Sequence, residues 1–470
     1  MSQPSRARVI LQSFFFLSAG ELIARLVNFL AFAHLARALG TTSFGRIGFV
    51  ITLVSYLLIP VMQGYDPVGI RDVARNRALL GRYAANILLI RMFSALATWL
   101  ALAGVVSLIA PEPPLHRLIL LFALTLFANA ASVKWVFQAL EQPRPVAAAG
   151  IAGQLIFAAG AFTVRGPEQL LRIPIYQLAG EGAGALLLLA MLLRRRRPPS
   201  FAVEWRLWQP LFRESAPLAV STILGTLLFN FDVLALAQFR EAAAVGLYTA
   251  VYKLVLLFAM LLTLFQVSLF PTLARAHAGG EELAPLAGRV LRFITAAFVP
   301  LAFAGMLLAG RLLEFLFGPE YTTGATTLKI LMWSLPLMAL RAVFRIILVS
   351  FNLQRLDLRA VLAGTITNIA LDLALVPGLS TAGAAISTLS SEMVIVYFSY
   401  RYVRRHIEPI FVLQHWLRPV IASLVMYAFG HTLAAAPLAL QAAGAGIIYL
   451  ATLFFLRGMT WKEIAALNRG

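Results

Sequence analysis

The chain has 470 residues, of which 60% are hydrophobic and only 13% are charged. An average soluble domain is about 25% charged, and a helix that crosses a bilayer needs about 20 mainly apolar residues. Apolar stretches recur from Phe14 to Phe455, so the composition predicts an all-α integral membrane protein with no soluble catalytic domain. The chain has no cysteine, which excludes disulfide frameworks, thiol nucleophiles and cysteine metal sites.

Hydropathy and helix-breaking residues predict about fourteen transmembrane helices. Prolines and glycines mark the breaks, as at Pro143, Pro198 and Gly279. The predicted helices span residues 10–35, 46–66, 84–109, 117–140, 146–164, 173–193, 212–235, 245–270, 290–316, 325–350, 359–376, 382–402, 419–435 and 439–456. We group them into an N-lobe of six helices (1–200), a C-lobe of six helices (201–405) and two C-terminal helices (406–470).

Two landmarks indicate that the lobes are repeats of one another. The sequence LARALGTTSFG, from Leu35, joins the first two predicted helices, and LAQFREAAAVG, from Leu236, joins the seventh and eighth. Glu181 on the sixth helix and Glu392 on the twelfth each precede an arginine cluster. With six helices in each half the two repeats share one orientation, as in some transporters.

The net charge is +19, which on a soluble protein would suggest nucleic acid. Here the basic residues cluster at the ends of apolar runs, where they set topology and contact anionic lipids, so no nucleic-acid partner is predicted. When the N-terminus is placed in the cytoplasm, most of the 39 lysines and arginines fall on the cytoplasmic side. The sequence thus predicts a multi-pass protein of the bacterial cytoplasmic (inner) membrane with both termini in the cytoplasm. The apolar run after Arg8 exceeds a signal-peptide core, and we interpret it as a retained first helix.

Ionisable side chains inside a span are costly and usually face a cavity or a partner. On the first helix, Glu21, Arg25 and Asn28 share one face because of their helical spacing. One interpretation is a self-neutralised stripe, with Glu21 paired to Arg25, that binds a neighbouring helix. We favour a stripe that lines a water-filled cavity.

The seventh and eighth helices carry Asp232, Tyr248, Tyr252 and Lys253. Tyr248 and Tyr252 lie on one face of the eighth helix, and a place in an interfacial aromatic belt is the favoured interpretation for Tyr248. Arg345 lies on the tenth helix with Arg341, one turn away.

Arginines of this kind can hold a diphosphate by charge-assisted bonds. The alternative is contact with lipid phosphates. The acidic groups within the spans are candidates for binding a coupling proton or Na⁺.

No catalytic constellation is present. The six histidines are scattered without metal-ligand spacing, and there is no glycine-rich phosphate loop. We therefore predict a protein that is not an enzyme, with no catalytic residues, no bound metal and no cofactor apart from a coupling ion, H⁺ or Na⁺.

Several stretches, taken in order, resemble the oligosaccharide flippases of the polysaccharide biosynthesis family, in the multidrug/oligosaccharidyl-lipid/polysaccharide exporter superfamily. One residue departs from the family pattern, since Asp372 stands where Asn is expected. The stretches are RALGTTSFG from Arg37, KWVFQALE from Lys134, VGLYTAVYKL from Val245 after Asp232, FGPEY from Phe317, and AGAAIST from Ala382 followed by Ser391 and Glu392.

The resemblance implies two six-helix lobes in a V, with a central cavity lined largely by the first, second, seventh and eighth helices. It implies flipping of a polyprenyl-diphosphate-linked oligosaccharide from the cytoplasmic to the outer leaflet by alternating access. The expected partners are this substrate, membrane lipids, a glycan polymerase and chain-length proteins. The alternatives are a lipid II flippase, a multidrug or cation antiporter of the same superfamily, and an integral-membrane enzyme. We predict Arg25, Asn28, Tyr252, Lys253 and Arg345 as substrate-binding residues, and Glu21, Asp232, Glu181 and Glu392 as coupling-ion residues.

Overall fold

The computed structural model describes residues 6–109, 112–194, 202–278, 283–407 and 413–456. Within these ranges all regular secondary structure is helical, and eleven helical stretches are long and apolar enough to cross a membrane. The all-α, multi-pass membrane architecture predicted from composition is therefore confirmed.

The chain divides into two compact units, Met1–Asn230 and Phe231–Gly470, which we call the first and the second unit. The first unit contains α1 to α8 and most of α9; the second contains the end of α9 and α10 to α16. The helices of the first unit are α1 (Arg6–Met62), α2 (Tyr65–Arg75), α3 (Leu80–Ile109), α4 (Pro113–Ala123), α5 (Thr125–Ala130), α6 (Lys134–Ala139), α7 (Pro143–Ala161), α8 (Arg172–Leu193) and α9 (Trp208–Phe239). Those of the second unit are α10 (Ala242–Ala278), α11 (Leu283–Phe317), α12 (Ala325–Met332), α13 (Ser334–Ser350), α14 (Gln354–His406), α15 (Leu413–Thr432) and α16 (Leu438–Phe455).

Two of these helices are bent and each holds two of the predicted spans. α1 leaves helical geometry at Gly40, with φ 71° and ψ 172°, and glycine adopts positive φ without a steric penalty. α14, with 53 residues, leaves it at Ser380, with φ 51° and ψ −132°. Each bent helix is long enough for two crossings. With α15 in the place of the thirteenth predicted helix, the prediction of about fourteen segments is confirmed.

The unit boundary falls inside α9 because the segment that leads into this helix bonds to the first unit. The Asn86 side chain of α3 donates to the carbonyl of Ala202 at 2.9 Å and accepts from the indole of Trp208 at 3.0 Å. Arg71 of α2 forms an ion pair with Glu214 on the first turns of α9. The start of the seventh predicted helix therefore packs with the first six.

Close helix contacts organise each unit. In the first unit α7 packs on both α1 and α8. A Cβ added to Gly153 of α7 would lie 2.7 Å from the carbonyl oxygen of Gly180 in α8. In the second unit α15 and α16 pack on α11, where the Tyr449 hydroxyl donates to the carbonyl of Ala296 at 2.6 Å.

We expect Gly153→Ala to lower the thermal stability of the purified protein, because the added methyl group forces α7 away from the backbone of α8. Overpacking of this kind costs about 1–3 kcal/mol. Gly150→Ala on the same helix is the matched control, since nothing lies within 4 Å of its Cβ position and alanine favours helix by up to about 1 kcal/mol. The melting temperature in detergent measures both effects; equal melting temperatures for the two variants would contradict the packing.

Candidate ion and substrate sites

Asp232, near the end of α9, is the centre of a buried polar cluster in the second unit. Its side chain is 1% exposed. One carboxylate oxygen accepts from the amide of Asn368 at 3.0 Å, and the other accepts from the hydroxyl of Thr388 at 2.7 Å. The Tyr248 hydroxyl of α10 also donates to this second oxygen. The carboxyl group of Asp232 is therefore held by three donors, and all three are uncharged side chains.

A second carboxyl group lies beside the first. Asp372, one turn after Asn368 on α14, is fully buried and adjoins Asp232 and the hydroxyl of Ser387. Among the described residues, no donor makes a hydrogen bond of good geometry to either of its carboxylate oxygens. Two adjacent buried carboxylates repel each other if both are charged, and an unpaired buried charge is very costly. The pair is therefore a candidate site for a proton or a small monovalent cation.

The break in α14 brings these residues together. Asn368 and Asp372 precede the break at Ser380, and Thr388 follows it. The two halves pack tightly, since a Cβ on Gly383 would lie 2.7 Å from the backbone of Leu375.

Helix carbonyls lose their amide donors at such a break. The Arg240 side chain, in the turn after α9, replaces two of those donors. It donates to the carbonyl of Val376 at 3.2 Å and also to that of Pro377. Arg240 therefore fixes the end of α9 to the broken segment of α14.

A second polar cluster lies on α13 and the later half of α14. Arg341 and Glu392 form an ion pair at 2.8 Å, with side chains 13% and 2% exposed. One turn further along α13, Arg345 lies 3.7 Å from Asp357, and its side chain is 61% exposed. Arg341 is therefore held by a buried partner, whereas Arg345 is accessible and only loosely paired.

Two tyrosines of α10 lie between the clusters. The Tyr248 and Tyr252 rings are stacked, with centroids 5.7 Å apart and planes inclined by 11°. Tyr248 is fully buried, so its predicted place in an interfacial belt is wrong; the hydrogen bond to Asp232 accounts for its burial. Tyr252 is buried and Lys253 is partly buried on the same helix.

Glu181 is a half-buried acid of the first unit that is held by side-chain amides. Glu181 of α8 accepts from the amide of Asn129 at 2.7 Å and from the amide of Gln177 at 2.6 Å. On α1, Asn28 donates to the side chain of Gln154 in α7 at 2.7 Å. Side-chain amides therefore bond to Glu181 and to one another in the first unit.

Arg25 and Glu21 are the other two residues of the predicted stripe on α1. Arg25 is exposed. The side chain of Glu21 lies outside the described part of the structure, so the proposed pair with Arg25 stays a prediction.

Three residues of the carboxylate cluster were not among the predicted site residues: Asn368, Asp372 and Thr388. Asn368 and Asp372 are one helical turn apart, and this spacing alone predicts two polar side chains on one face of a transmembrane helix. Their meeting with Thr388 depends on the break at Ser380, which the sequence marks only by Pro377 and Gly378. Among the described residues, no group of three or more His, Cys, Asp or Glu side chains is arranged to hold a metal ion.

About fourteen membrane segments in two units, with ionisable side chains buried in the spans, are typical of membrane transporters. Comparisons with known proteins agree with that class. The family model described as "Polysaccharide biosynthesis protein" matches residues 10–277, and the model described as "Lipid II flippase MurJ" matches residues 154–455. Since each match covers more than half of the chain, the protein belongs to the flippase-type families of the multidrug/oligosaccharidyl-lipid/polysaccharide exporter superfamily. No curated protein sequence matches the chain.

Solved structures show the same fold. A lipid II flippase MurJ in an inward closed conformation has a TM-score of 0.78 and 12% identity, covering 94% of this chain and 99% of that chain. An inward-facing multidrug resistance MATE family transporter has a TM-score of 0.65 and 12% identity, covering 81% and 94%. A superfamily transporter from Pyrococcus furiosus, described as having a binding pocket of reverse polarity, has a TM-score of 0.53 and 12% identity, covering 86% and 99%. At these identities the likeness concerns the fold alone.

We expect Thr388→Val to destabilise the second unit, because valine keeps the shape of threonine but removes the hydroxyl that donates to Asp232. Because Tyr248 still donates to the same oxygen, the expected loss is the net contribution of one hydrogen bond, about 0.5–1.5 kcal/mol. Thr388→Ser, which keeps the hydroxyl, is the matched control. Melting temperatures in detergent compare the three proteins; a valine variant as stable as the serine variant would refute the contribution of this bond.

Proposed function

We propose that the protein flips a polyprenyl-diphosphate-linked oligosaccharide, the repeat unit of an O-antigen or exopolysaccharide, from the cytoplasmic to the outer leaflet of a bacterial cytoplasmic membrane. The observation that carries this proposal is the exposed Arg345 of α13, which lies 3.7 Å from Asp357 and is only loosely paired with it. Lys253 lies on the neighbouring helix α10. Cationic side chains suit an anionic diphosphate headgroup and disfavour the cationic drugs of a multidrug antiporter.

The sugar needs a wet path through the protein. In hydrocarbon its hydroxyls would lose hydrogen bonds at several kcal/mol each. The prenyl chain has no such need and stays in lipid. Glycan polymerase and chain-length proteins are the partners this function would require.

We further propose that transport is driven by a proton or Na⁺ bound at the carboxylate cluster of Asp232 and Asp372. A ligand shifts a conformational equilibrium only by its differential affinity for the two states. In the arrangement seen here the two carboxylates are stable side by side only with a proton or cation between them. A conformation that separates them would bind the ion less tightly, and this difference in affinity would drive the change. Glu392 is a weaker candidate for this role because Arg341 already neutralises it. Glu181 lacks such a pair and remains a second candidate.

A lipid II flippase is the second candidate function. It is favoured by the family match over residues 154–455 and by the TM-score of 0.78 to a lipid II flippase. Its substrate also presents a polyprenyl diphosphate, so the charges discussed above serve both substrates equally. Only the sugar or peptide part distinguishes them.

Reconstitution of the purified protein in liposomes tests the substrate. Three probes are compared: a fluorescent polyprenyl-diphosphate oligosaccharide, fluorescent lipid II, and a cationic dye. We expect flipping of the first probe at a rate at least tenfold above protein-free liposomes, with no dye transport. Preferential flipping of lipid II would establish the second candidate, and dye transport alone would refute both.

We expect Asp232→Asn and Asp372→Asn each to abolish the acceleration of flipping by a proton or Na⁺ gradient, because either change removes the repulsion that favours cation binding. Initial rates with and without each gradient measure the effect and identify the ion. Glu241→Gln is the matched control, since Glu241 is an exposed acid in the turn after the same helix. Gradient-driven flipping at the normal rate in both Asp variants would place the coupling site elsewhere.

A further inference from the structure

Two buried polar atoms at the Arg341–Glu392 ion pair have no hydrogen-bond partner among the described residues. They are the hydroxyl oxygen of Tyr252 and the second carboxylate oxygen of Glu392. A buried donor or acceptor left unsatisfied costs about 1–3 kcal/mol, and such atoms in a native structure need an explanation. Here one atom is a donor and the other an acceptor, so each could satisfy the other.

The two side chains are also brought to the same part of the second unit. On α10 Tyr252 follows Tyr248 by one turn, and on α14 Glu392 follows Thr388 by one turn, while the hydroxyl oxygens of Tyr248 and Thr388 lie 3.1 Å apart. The ion pair uses only one oxygen of Glu392, at 2.8 Å from Arg341. The other oxygen is therefore available to a further donor, and the Tyr252 hydroxyl is a donor on a helix that packs against α14.

Two helices, α10 and α14, lead from this pair to the carboxylate cluster. Asp232 accepts a hydrogen bond from Tyr248, and the Tyr248 ring is stacked on that of Tyr252 one turn later. On α14, Thr388 contacts Asp232 and Glu392 follows one turn later. Both helices thus present one residue to each cluster, and residues one turn apart on a helix move together.

We propose that Tyr252 is a positioning residue that couples the carboxylate cluster to the Arg341–Glu392 ion pair, and so controls whether Arg341 is available to an anionic diphosphate headgroup. This inference rests on the proposed function. A cation at the cluster competes with the Tyr248 hydroxyl for the oxygens of Asp232. The two stacked rings then shift as one body, because close-packed interiors transmit displacement, and the Tyr252 hydroxyl donates to Glu392.

The consequence for Arg341 is electrostatic. A hydrogen bond from Tyr252 stabilises the Glu392 charge without Arg341, which lowers the free-energy cost of separating the ion pair. Arg341 lies one turn from the accessible Arg345, and two guanidinium groups on one helix face can hold a diphosphate together. Binding of the cation and binding of the headgroup would then be thermodynamically coupled, each raising the affinity of the other by the same factor.

The test measures this coupling in the purified full-length protein. The affinity for undecaprenyl diphosphate is determined under three conditions: with saturating Na⁺ at pH 8, without Na⁺ at pH 8, and without Na⁺ at pH 6. The first two measure coupling to Na⁺, and the last two measure coupling to a proton. For the unmodified protein we expect the coupling ion to raise the affinity about tenfold, within the usual range of about 5- to 150-fold for coupled sites. For Tyr252→Phe we expect less than a twofold change, while stabilisation of the protein by the ion alone stays normal.

Two further variants separate coupling from a structural role. Thr249→Val removes another buried hydroxyl without a partner from the same helix, and it should keep the full coupling. Glu392→Gln removes the charge that holds Arg341, and it should raise the affinity for undecaprenyl diphosphate in the absence of the ion by severalfold and abolish further gain from the ion. A merely structural role for Glu392 would lower that affinity instead.

The outcomes distinguish this inference from the proposed function. Equal coupling in Tyr252→Phe and in the unmodified protein overturns the role of Tyr252 and leaves the proposed function standing. An unmodified protein that binds undecaprenyl diphosphate without any response to Na⁺ or pH overturns both the coupling and the inference built on it.

Discussion

Hydrocarbon offers no water to a backbone amide or carbonyl, so every such group in a span must be satisfied within the protein. This constraint explains why all regular structure in the described residues is helical. It also explains what the protein does where a helix is interrupted. At the break in α14 the carbonyls of Val376 and Pro377 accept from Arg240, so a side chain supplies what the helix has lost. These bonds reduce the free-energy cost of the interruption. The break in turn brings the residues on its two sides to Asp232.

Hydrocarbon also makes a buried charge costly unless it has a partner of opposite charge. Arg91 of α3 is 1% exposed and is paired with Asp66 at 2.5 Å, and Arg341 is paired with Glu392. In each pair, opposite charges offset the cost of desolvation. Asp232 and Asp372 are the contrast, because a carboxyl group has another carboxyl group as its neighbour. This contrast is why we propose the coupling ion at Asp232 and Asp372 and not at the ion pairs, which are already neutral.

The repeat read from the sequence has a counterpart in the internal contacts of the units. Asn129 bonds to Glu181 in the first unit, and Arg341 bonds to Glu392 in the second; in both cases the fourth helix of a half contacts the sixth. Asn28 bonds to Gln154, and Asn368 bonds to Asp232; here the first helix contacts the fifth. The framework is shared, but Asn129 and Asn28 of the first unit take the places that Arg341 and Asp232 hold in the second. Ion coupling is therefore better supported by the second unit.

The sequence by itself determined the membrane class and the approximate number of segments, because hydrophobic length and the rarity of ionisable residues are properties of composition and local order. It also singled out Asp232 and the two tyrosines of α10. Only the tertiary structure decided which charges meet. Asn368, Asp372 and Thr388 reach Asp232 through the bend at Ser380, and Tyr248 is buried by its bond to Asp232 and does not lie in an interfacial belt. The contacts of Asn368 and Thr388 with Asp232 join residues more than a hundred positions apart, and no local pattern specifies the angle at which two distant helices pack.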